Sequence, residues 1–377
     1  MMFQPRFTAR WISVEDLLVR RTEWTRLSLE SLEANPFYSP DLLAPAIALQ
    51  AARGRVSLLI VEDQFKRLVA LFPLQRPALR NGLFGLAWSL YRDPLTALTT
   101  PLVDRGASSA VIHATLDCLL KSAGLLVFSM ARTNGAFSTL LQTEVKRRGW
   151  RITEMTGYSR PILTHAGAAE GIRTPKSLQR RQRLLAAKES TEIVRIFGDD
   201  PRARAFFAKF VALEASGWKA GAGTSLAQNP QLRGIFEGLL NPGRPTVPRI
   251  LMEGLVSGDR ALAMTVNLIV GRAGYTIKSA YDESYAKFSP GRLLDVATSE
   301  LCAPGGPLDW FDSCAGPGHP LSELWPERDE FASLAIAMSP AGQLWMPVLE
   351  GMQAGLHAVR RWRYNENYTT RKTAQSR

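Results

Sequence analysis

The chain has 377 residues, too many for one ordinary domain and suited to two, and its 46% of hydrophobic residues allow each half to build a core. Lys and Arg outnumber Asp and Glu by 46 to 34, and the net charge of +12 favours a polyanionic ligand: nucleic acid, an anionic membrane surface or a phosphorylated cofactor. A generally basic protein with solvated arginines explains the charge equally well. Three cysteines without a CxxC pair, together with four histidines, exclude a disulfide framework and a zinc site.

The initial stretch "MMFQPRFTARW" has no apolar signal core, so a reducing cytoplasm is the expected location.

Two segments of the chain are predicted to form β-hairpins. Residues 56–76 and 249–270 each contain two β-rich runs around a polar turn. Each hairpin follows a helix-like segment that opens with an Asn-Pro pair, at Asn35 and at Asn229. When these pairs are aligned, the strands of the two hairpins coincide.

The similarity between the two halves continues beyond the hairpins. The stretch "LLVFSMA" at 125–131 resembles "LDWFDSCA" at 308–315, and each follows a predicted helix, over 107–123 and 291–302. These matches indicate an ancestral duplication of a unit built from helix, hairpin, strand, helix and strand. A chance similarity between two α/β halves is the alternative.

A basic segment at 171–190 lies between the two copies and is predicted to be helical. It is either a phosphate-facing arm or a solvated linker helix, and the linker role is favoured. The run 332–349 is uncharged but contains two prolines, so it is predicted to be a buried helix followed by a turn and not a membrane span. The predicted organisation is a first lobe over 1–165, a linker over 166–195, a second lobe over 196–350 and a basic, partly disordered tail over 351–377.

The stretch "YDESYAKFSPGRLLDVATSELC" at 281–302 has the pattern of an anion-binding helix start. Ser289 is a predicted N-cap, the proline after it is a first helical residue, and the apolar residues that follow recur at helical spacing. Gly291 leaves room beside the backbone amides, and Lys287 and Arg292 add positive charge. A plain capped helix is the alternative.

A glycine-rich loop at 217–224 is a second candidate. Glu214 ends the apolar face of the helix that precedes it, and the loop carries an aromatic side chain and a cation. This combination suits a lid over an anionic or sugar-like acceptor, and an ordinary loop with a buried tryptophan is the alternative. The predicted substrate contacts are Trp218, Lys219 and Asp312.

Four stretches of the chain together resemble a known family. They are "NPFYSPDLL" at 35–43, "LEASGWKAGAGTSL" at 213–226, "AYDESYAKFSPGRLL" at 280–294 and "DWFDSCAG" at 309–316. They are similar to GNAT acetyltransferases of the CelD/BcsL type, relatives of the FemAB-like tandem proteins. This resemblance implies an α/β (α+β) fold of two tandem GNAT-like lobes, with mixed central sheets flanked by helices and a basic helical linker between them.

The resemblance also implies a function. The donor is expected to be acetyl-CoA or another acyl-CoA, bound by the second lobe, while the first lobe is a platform without a cofactor. The acceptor is expected to be a small sugar- or amino-acid-derived molecule, and the N- or O-acyl transfer is linked to polysaccharide biosynthesis. One alternative is a FemAB-like aminoacyl-tRNA-dependent transferase that holds RNA with the basic linker. The other is a non-catalytic binding protein with the same fold.

The residues around the helix start receive specific roles. The amides from Ser289 to Leu293 are predicted to hold the pyrophosphate of CoA, with Lys287 and Arg292 beside them. Direct acyl transfer requires a base, an oxyanion site and an acid for the leaving thiolate. The catalytic candidates are Asp282 as the base, Tyr285 as the acid, and in addition Tyr281 and Glu214.

Overall fold

Thirteen strands form one mixed β-sheet flanked by helices within the described part of the chain. The computed structural model describes residues 6–51, 56–76, 87–107, 109–172, 174–217, 221, 223, 225–316, 318–348 and 350–351. The strands are β1 (Thr8–Ile12), β2 (Val56–Glu62), β3 (Leu68–Gln75), β4 (Ala87–Leu90), β5 (Leu102–Val103), β6 (Leu125–Arg132), β7 (Arg151–Thr164), β8 (Glu192–Phe197), β9 (Arg249–Ser257), β10 (Arg260–Val270), β11 (Ala273–Tyr281), β12 (Trp310–Asp312) and β13 (Arg328–Ala337).

The helices fall between the strands in a similar order in both halves of the chain. Short 3₁₀ helices at Glu283–Phe288 and Pro320–Glu323 flank the candidate site described below. The α-helices are α1 (Val14–Val19), α2 (Arg21–Leu29), α3 (Pro40–Ala51), α4 (Ser109–Leu120), α5 (Ala136–Arg147), α6 (His165–Ala169), α7 (Lys176–Ala186), α8 (Ala203–Ser216), α9 (Pro230–Gly238), α10 (Pro290–Thr298) and α11 over 340–348.

The strand order of the sheet reads the same from both edges. One half runs β1-β2-β3-β4-β6-β13 and the other runs β8-β9-β10-β11-β12-β7, with β13 and β7 adjacent at the centre. In both halves the first four strands are antiparallel neighbours, and the fourth and fifth strands form a parallel pair, β4 with β6 and β11 with β12. This pseudo-symmetry confirms the predicted fold of two tandem lobes.

The two lobes exchange their last strands. Strand β7 comes from the first half of the sequence but pairs with β12 of the second, through residues 162–164. Strand β13 comes from the second half but pairs with β6 of the first. The long antiparallel ladder between β7 and β13 joins the lobes into one sheet. The domain bounds given by the sequence stay a prediction, since the sheet crosses the bound at residue 165.

Local features of the two lobes support the duplication. The predicted hairpins are β2–β3 and β9–β10, and both are antiparallel pairs. The side chain of Asn35 accepts a hydrogen bond from the Phe37 amide, and that of Asn229 accepts one from the Leu232 amide, so both Asn-Pro pairs begin helices. Met130 and Cys314, near the carboxyl ends of the two parallel strands, both have left-handed backbones, with φ of 60° and 49°. Each of these two residues is the second-last residue of its matched stretch, "LLVFSMA" or "LDWFDSCA".

The prediction for the uncharged run at 332–349 was wrong. Residues up to Ala337 belong to β13, and the helix that follows begins at 340. Strand β13 is central in the sheet, so its apolar residues are buried on both faces, and a continuous apolar run of this kind does not distinguish a strand from a buried helix. Of the helices in the described residues, each is too short or too polar to cross a membrane.

Helices α8 and α10 lie on opposite faces of the second half-sheet. Along β9, Leu251 and Leu255 belong to the same buried cluster as the apolar residues of α10. The alternate residues Met252 and Val256 belong to the cluster that contains the phenylalanines of α8. Because successive side chains of a strand point to opposite faces, the two helices cover different sides of the sheet.

Candidate active site

Strands β11 and β12 separate shortly after they begin to pair. Their parallel ladder covers three residue pairs and ends at Tyr275 opposite Asp312. The ladder between β11 and β10 then skips Ile277, which forms a bulge, and β12 is followed by the left-handed residue Cys314. A bulge bends its strand and ends regular pairing. The last residues of β11 therefore border an opening in the sheet.

One cavity lies between this end of β11 and the start of α10, and we call it the α10 cavity. Its volume is about 270 Å³. The strand contributes residues from Ser279 to Tyr281, and the helix contributes residues from Ser289 to Arg292 and one turn further on. The predicted phosphate turn thus faces a space in which a ligand can lie.

Fewer backbone amides of the turn are available to a ligand than the sequence indicated. Ser289 is left-handed, with φ of 55°, and its own N–H donates to the Ala286 carbonyl at 2.9 Å. The Leu293 amide donates to the Ser289 carbonyl at 3.1 Å, and the Leu293 side chain is buried. The prediction that the Leu293 amide holds the pyrophosphate does not agree with this contact. The amides of Gly291 and Arg292 belong to the first helical turn, where N–H groups have no intrahelical acceptor. These are the two amides of the turn that could hold an anion.

The cationic side chains near the turn differ in their contacts. Arg292 lines the α10 cavity, its Nη2 donates to Glu323 at 2.7 Å, and its buried Nε has no acceptor among the described residues. Arg181 of the linker helix α7 donates to the Ser289 hydroxyl. Lys287 is exposed, and its ammonium lies 5.1 Å above the ring of Phe288, outside the cavity lining. The predicted contact of Lys287 with the pyrophosphate does not agree with this position. Arg181 also lies outside the cavity lining, but it contacts Ser289, which belongs to the lining.

A carboxyl group also faces the α10 cavity. Asp295, one turn after Gly291, is half-buried and lines the same space. Loss of solvation, with a smaller contribution from the charge of the buried Glu253, raises the pKa of Asp295 to about 7, against the opposing effect of Arg292. Asp295 therefore changes its charge near neutral pH, beside the anion-binding amides.

A second cavity, of about 170 Å³, lies on the side of α8, and we call it the α8 cavity. Glu214 forms part of its wall, and the buried carboxylate accepts hydrogen bonds from Lys278 Nζ at 3.0 Å and from the Leu226 amide at 2.8 Å. Glu283 and Gly217 face each other across the cavity, since a Cβ atom on Gly217 would lie 3.2 Å from Glu283 Oε1. Lys278 thus balances the charge of Glu214, and Glu283 is the second carboxylate on the wall of this cavity.

The two cavities share one wall. Residues from Ser279 to Tyr281 and the ring of His319 line both of them. His319 Nδ1 accepts a hydrogen bond from the Leu321 amide at 3.2 Å, so in the neutral ring the proton lies on Nε2. Sequence analysis assigned no role to His319. A turn histidine carries no sequence signal, because the fold alone brings it to the end of β11.

Two predicted catalytic residues have structural partners instead of a place in either cavity. Asp282 caps the 3₁₀ helix by accepting from the Ser284 amide at 3.0 Å, and its other oxygen accepts from Arg260 at 2.7 Å. Loss of solvation acts against these hydrogen bonds, but together with the charge of Arg260 they keep the pKa of Asp282 below its usual value, so it is a weak base. Tyr285 is buried and donates to Glu189 of the linker. The roles predicted for Asp282 and Tyr285 do not agree with these contacts.

The predicted substrate contacts also require correction. Asp312 is fully buried at the junction of the lobes, where it pairs with the buried Arg160 and accepts from the Cys314 amide at 2.8 Å. Asp312 is therefore a structural residue at the end of β12, next to the opening in the sheet. Trp218 and Lys219 lie outside the described residues. Of the predicted residues, the structure brings Glu214, Tyr281, Ser289, Gly291 and Arg292 together around the two connected cavities.

Comparison with known families agrees with this geometry. Residues 173–319 match the family model described as an acetyltransferase (GNAT) domain. The match includes the linker helix α7, both cavities and His319. This part of the chain is thus similar to a GNAT acetyltransferase domain. No curated protein matches the chain.

Solved structures show that the similarity of fold extends over most of the chain. The crystal structure of FemX has a TM-score of 0.55 at 9% identity, covering 90% of this chain and 99% of FemX. A conserved protein of unknown function from Bacteroides thetaiotaomicron VPI-5482 has a TM-score of 0.53 at 14% identity, covering 88% and 100%. The C-terminal domain of a putative lysylphosphatidylglycerol synthetase from Agrobacterium fabrum has a TM-score of 0.52 at 8% identity, covering 88% and 96%. At these identities the likeness shows the fold alone.

Proposed function

We propose that the protein is an acyl-CoA-dependent N-acyltransferase that acts on a small acceptor with an amino group. The observation that carries this proposal is the meeting of two cavities at the end of β11, one formed with α10 and one formed with α8. A donor can enter from one face of the sheet and an acceptor from the other. The acetyltransferase domain matched by residues 173–319 supports a thioester as the donor.

The α10 cavity fits the donor. The pyrophosphate of CoA is held by the amides of Gly291 and Arg292, and the unpaired Nε of Arg292 supplies a further donor to the anion. From there the thioester arm follows β11 towards Tyr281. This path brings the acyl group to the wall that the two cavities share.

The α8 cavity fits the acceptor. The exposed carboxylate of Glu283 attracts an ammonium group and takes its proton, directly or through a water molecule. The neutral amine attacks the thioester carbonyl carbon, a C–N bond forms, and the C–S bond breaks. Tyr281, on the shared wall, donates a proton to the leaving thiolate. The side chain of Glu214 stays paired with Lys278 and forms part of the cavity wall.

Replacement of Gly291 tests the donor site. A Cβ atom at this position would lie 4.0 Å from the Tyr281 ring, so the longer side chain of Gly291→Leu should project into the α10 cavity and block the pyrophosphate. We expect acetyl-CoA affinity, measured by calorimetry, to fall at least tenfold with an unchanged circular dichroism spectrum. The matched control is Gly234→Leu in α9, where nothing lies within 4 Å of an added Cβ. Wild-type affinity in the Gly291 variant would exclude this donor site.

An aminoacyl-tRNA donor is the second candidate. The exposed basic residues of α7, beside the phosphate turn, favour it over a simple binding protein. Under this alternative the protein does not bind acetyl-CoA, and it binds tRNA with an affinity that falls steeply as salt rises. The calorimetric titration of the wild-type protein with acetyl-CoA distinguishes the two donors.

A further inference from the structure

The linker helix α7 contacts the segment around the phosphate turn in two places. Near the middle of the helix, Arg181 donates a hydrogen bond to the Ser289 hydroxyl. Just beyond the helix, the Glu189 carboxylate accepts one from Tyr285, and the Lys188 ammonium lies 4.4 Å above the same tyrosine ring. The linker therefore contacts the turn on one side, while most of its residues are exposed.

The helix presents a strongly basic outer surface. Its buried residues are Leu178 and Leu185, which anchor it to the lobe below. Among the described residues of the helix and its end, the exposed cations are Lys176, Arg180, Arg181, Arg183 and Lys188. Of these, Arg181 reaches the residue that begins α10.

The partner of Arg181 is a weak one for a guanidinium. A serine hydroxyl is neutral, whereas Arg292 has Glu323 and Lys188 has Glu189 as charged partners within 4 Å. In the described part of the chain, Arg181 has no carboxylate within the 4.0 Å of an ion pair. A phosphate oxygen at this position would form a charge-assisted hydrogen bond with the guanidinium, which is stronger than the bond to the hydroxyl.

We propose that Arg181 is a phosphate ligand of the acyl donor, so that the linker helix forms the outer wall of the donor site. This inference rests on the proposed function, because Arg181 contacts Ser289, which lines the α10 cavity. On donor binding the guanidinium exchanges the Ser289 hydroxyl for a phosphate oxygen. In CoA this oxygen belongs either to the pyrophosphate, next to the Gly291 and Arg292 amides, or to the ribose 3′-phosphate beyond it.

Calorimetric titration of Arg181→Gln with CoA and with 3′-dephospho-CoA tests the proposal. We expect a loss of CoA affinity of about ten- to a hundredfold, the usual effect of removing a hydrogen bond between charged groups. An equal loss with both ligands assigns Arg181 to the pyrophosphate, and a loss confined to CoA assigns it to the 3′-phosphate. The control is Arg183→Gln, which removes one exposed cation from the same helix and should change the affinity less than twofold.

Three results would overturn the proposal. An unchanged CoA affinity in Arg181→Gln, with Gly291→Leu still impaired, refutes the role of Arg181 and leaves the donor site intact. Equal losses in the Arg181 and Arg183 variants indicate a diffuse basic field, as an RNA-binding surface would give. A wild-type protein that does not bind CoA refutes both the proposed function and this inference.

A purely structural role for Arg181 needs a separate variant. Ser289→Gly removes the hydroxyl that Arg181 bonds but suits the left-handed backbone at this position, where φ is 55°. If Arg181 acted only by holding Ser289, this variant would lose as much CoA affinity as Arg181→Gln. We expect a clearly smaller loss, since the cation remains in place for the phosphate.

Discussion

Asp295 is expected to make both stability and donor binding depend on pH. Its pKa is raised from 3.8 to about 7, because the half-buried carboxyl loses solvation and lies near Glu253. Between these two values the folded protein keeps a proton that the unfolded chain has lost. The free energy of unfolding therefore falls as pH rises from about 4 to about 7, and the full penalty is present above that window.

The substitution Asp295→Asn removes this titration while keeping the shape of the side chain. One pKa unit corresponds to about 1.36 kcal/mol, so a shift of roughly three units sets an upper limit of about 4 kcal/mol. Because Asp295 lines an open cavity, where solvent screens its charge, we expect a gain of about 1–3 kcal/mol at pH 8. At pH 4, where the wild-type carboxyl is protonated, the two proteins should be nearly equal.

Urea unfolding of both proteins at pH 4, 6 and 8 measures the effect. The control is Asp259→Asn, at a fully exposed turn position, which should not change the pH dependence. Acetyl-CoA affinity should also fall as pH rises through about 7 in the wild type, because an ionised carboxylate repels the phosphates, and this fall should be absent in Asp295→Asn. A stability difference that is the same at all three pH values would refute the reasoning.

Two further substitutions test the other assignments. Glu283→Gln should lower kcat by about 10²- to 10⁴-fold in an acyl-transfer assay, with little change in melting temperature, and an unchanged kcat would remove Glu283 from the mechanism. Asp312→Ala should lower the free energy of unfolding by about 3–5 kcal/mol, because it leaves Arg160 as a buried, uncompensated charge, while Asp309→Ala on the exposed side of the same segment should cost less than about 1 kcal/mol.

Features that depend on neighbouring residues could be predicted from the sequence. The hairpins, the two Asn-Pro helix starts and the helix that follows Ser289 are all set by local spacing and turn chemistry. The tandem fold followed from recognising that these local units occur twice. The exchange of β7 and β13 could not be predicted in this way, because it depends on which strands pair across about 170 residues of sequence.

The same limit applies to the site. Sequence analysis found the turn at Ser289, but its side-chain partner Arg181 lies 108 residues away, in a helix interpreted as a solvated linker. Periodicity could show that α7 is helical and basic. It could not show which of its cations faces the turn, since that depends on how the buried Leu178 and Leu185 dock the helix on the second lobe.

The choice of the catalytic acid or base shows how fine this dependence is. Asp282 and Glu283 are consecutive carboxylates at the end of β11, and composition and spacing do not distinguish them. In the structure Asp282 caps the 3₁₀ helix and pairs with Arg260 from the adjacent strand, whereas Glu283 faces the α8 cavity. The placement of Arg260 on β10 thus accounts for Asp282, while Glu283, the base that we propose, lines the α8 cavity. The sequence motif marks both carboxylates as candidates, and their tertiary contacts distinguish them.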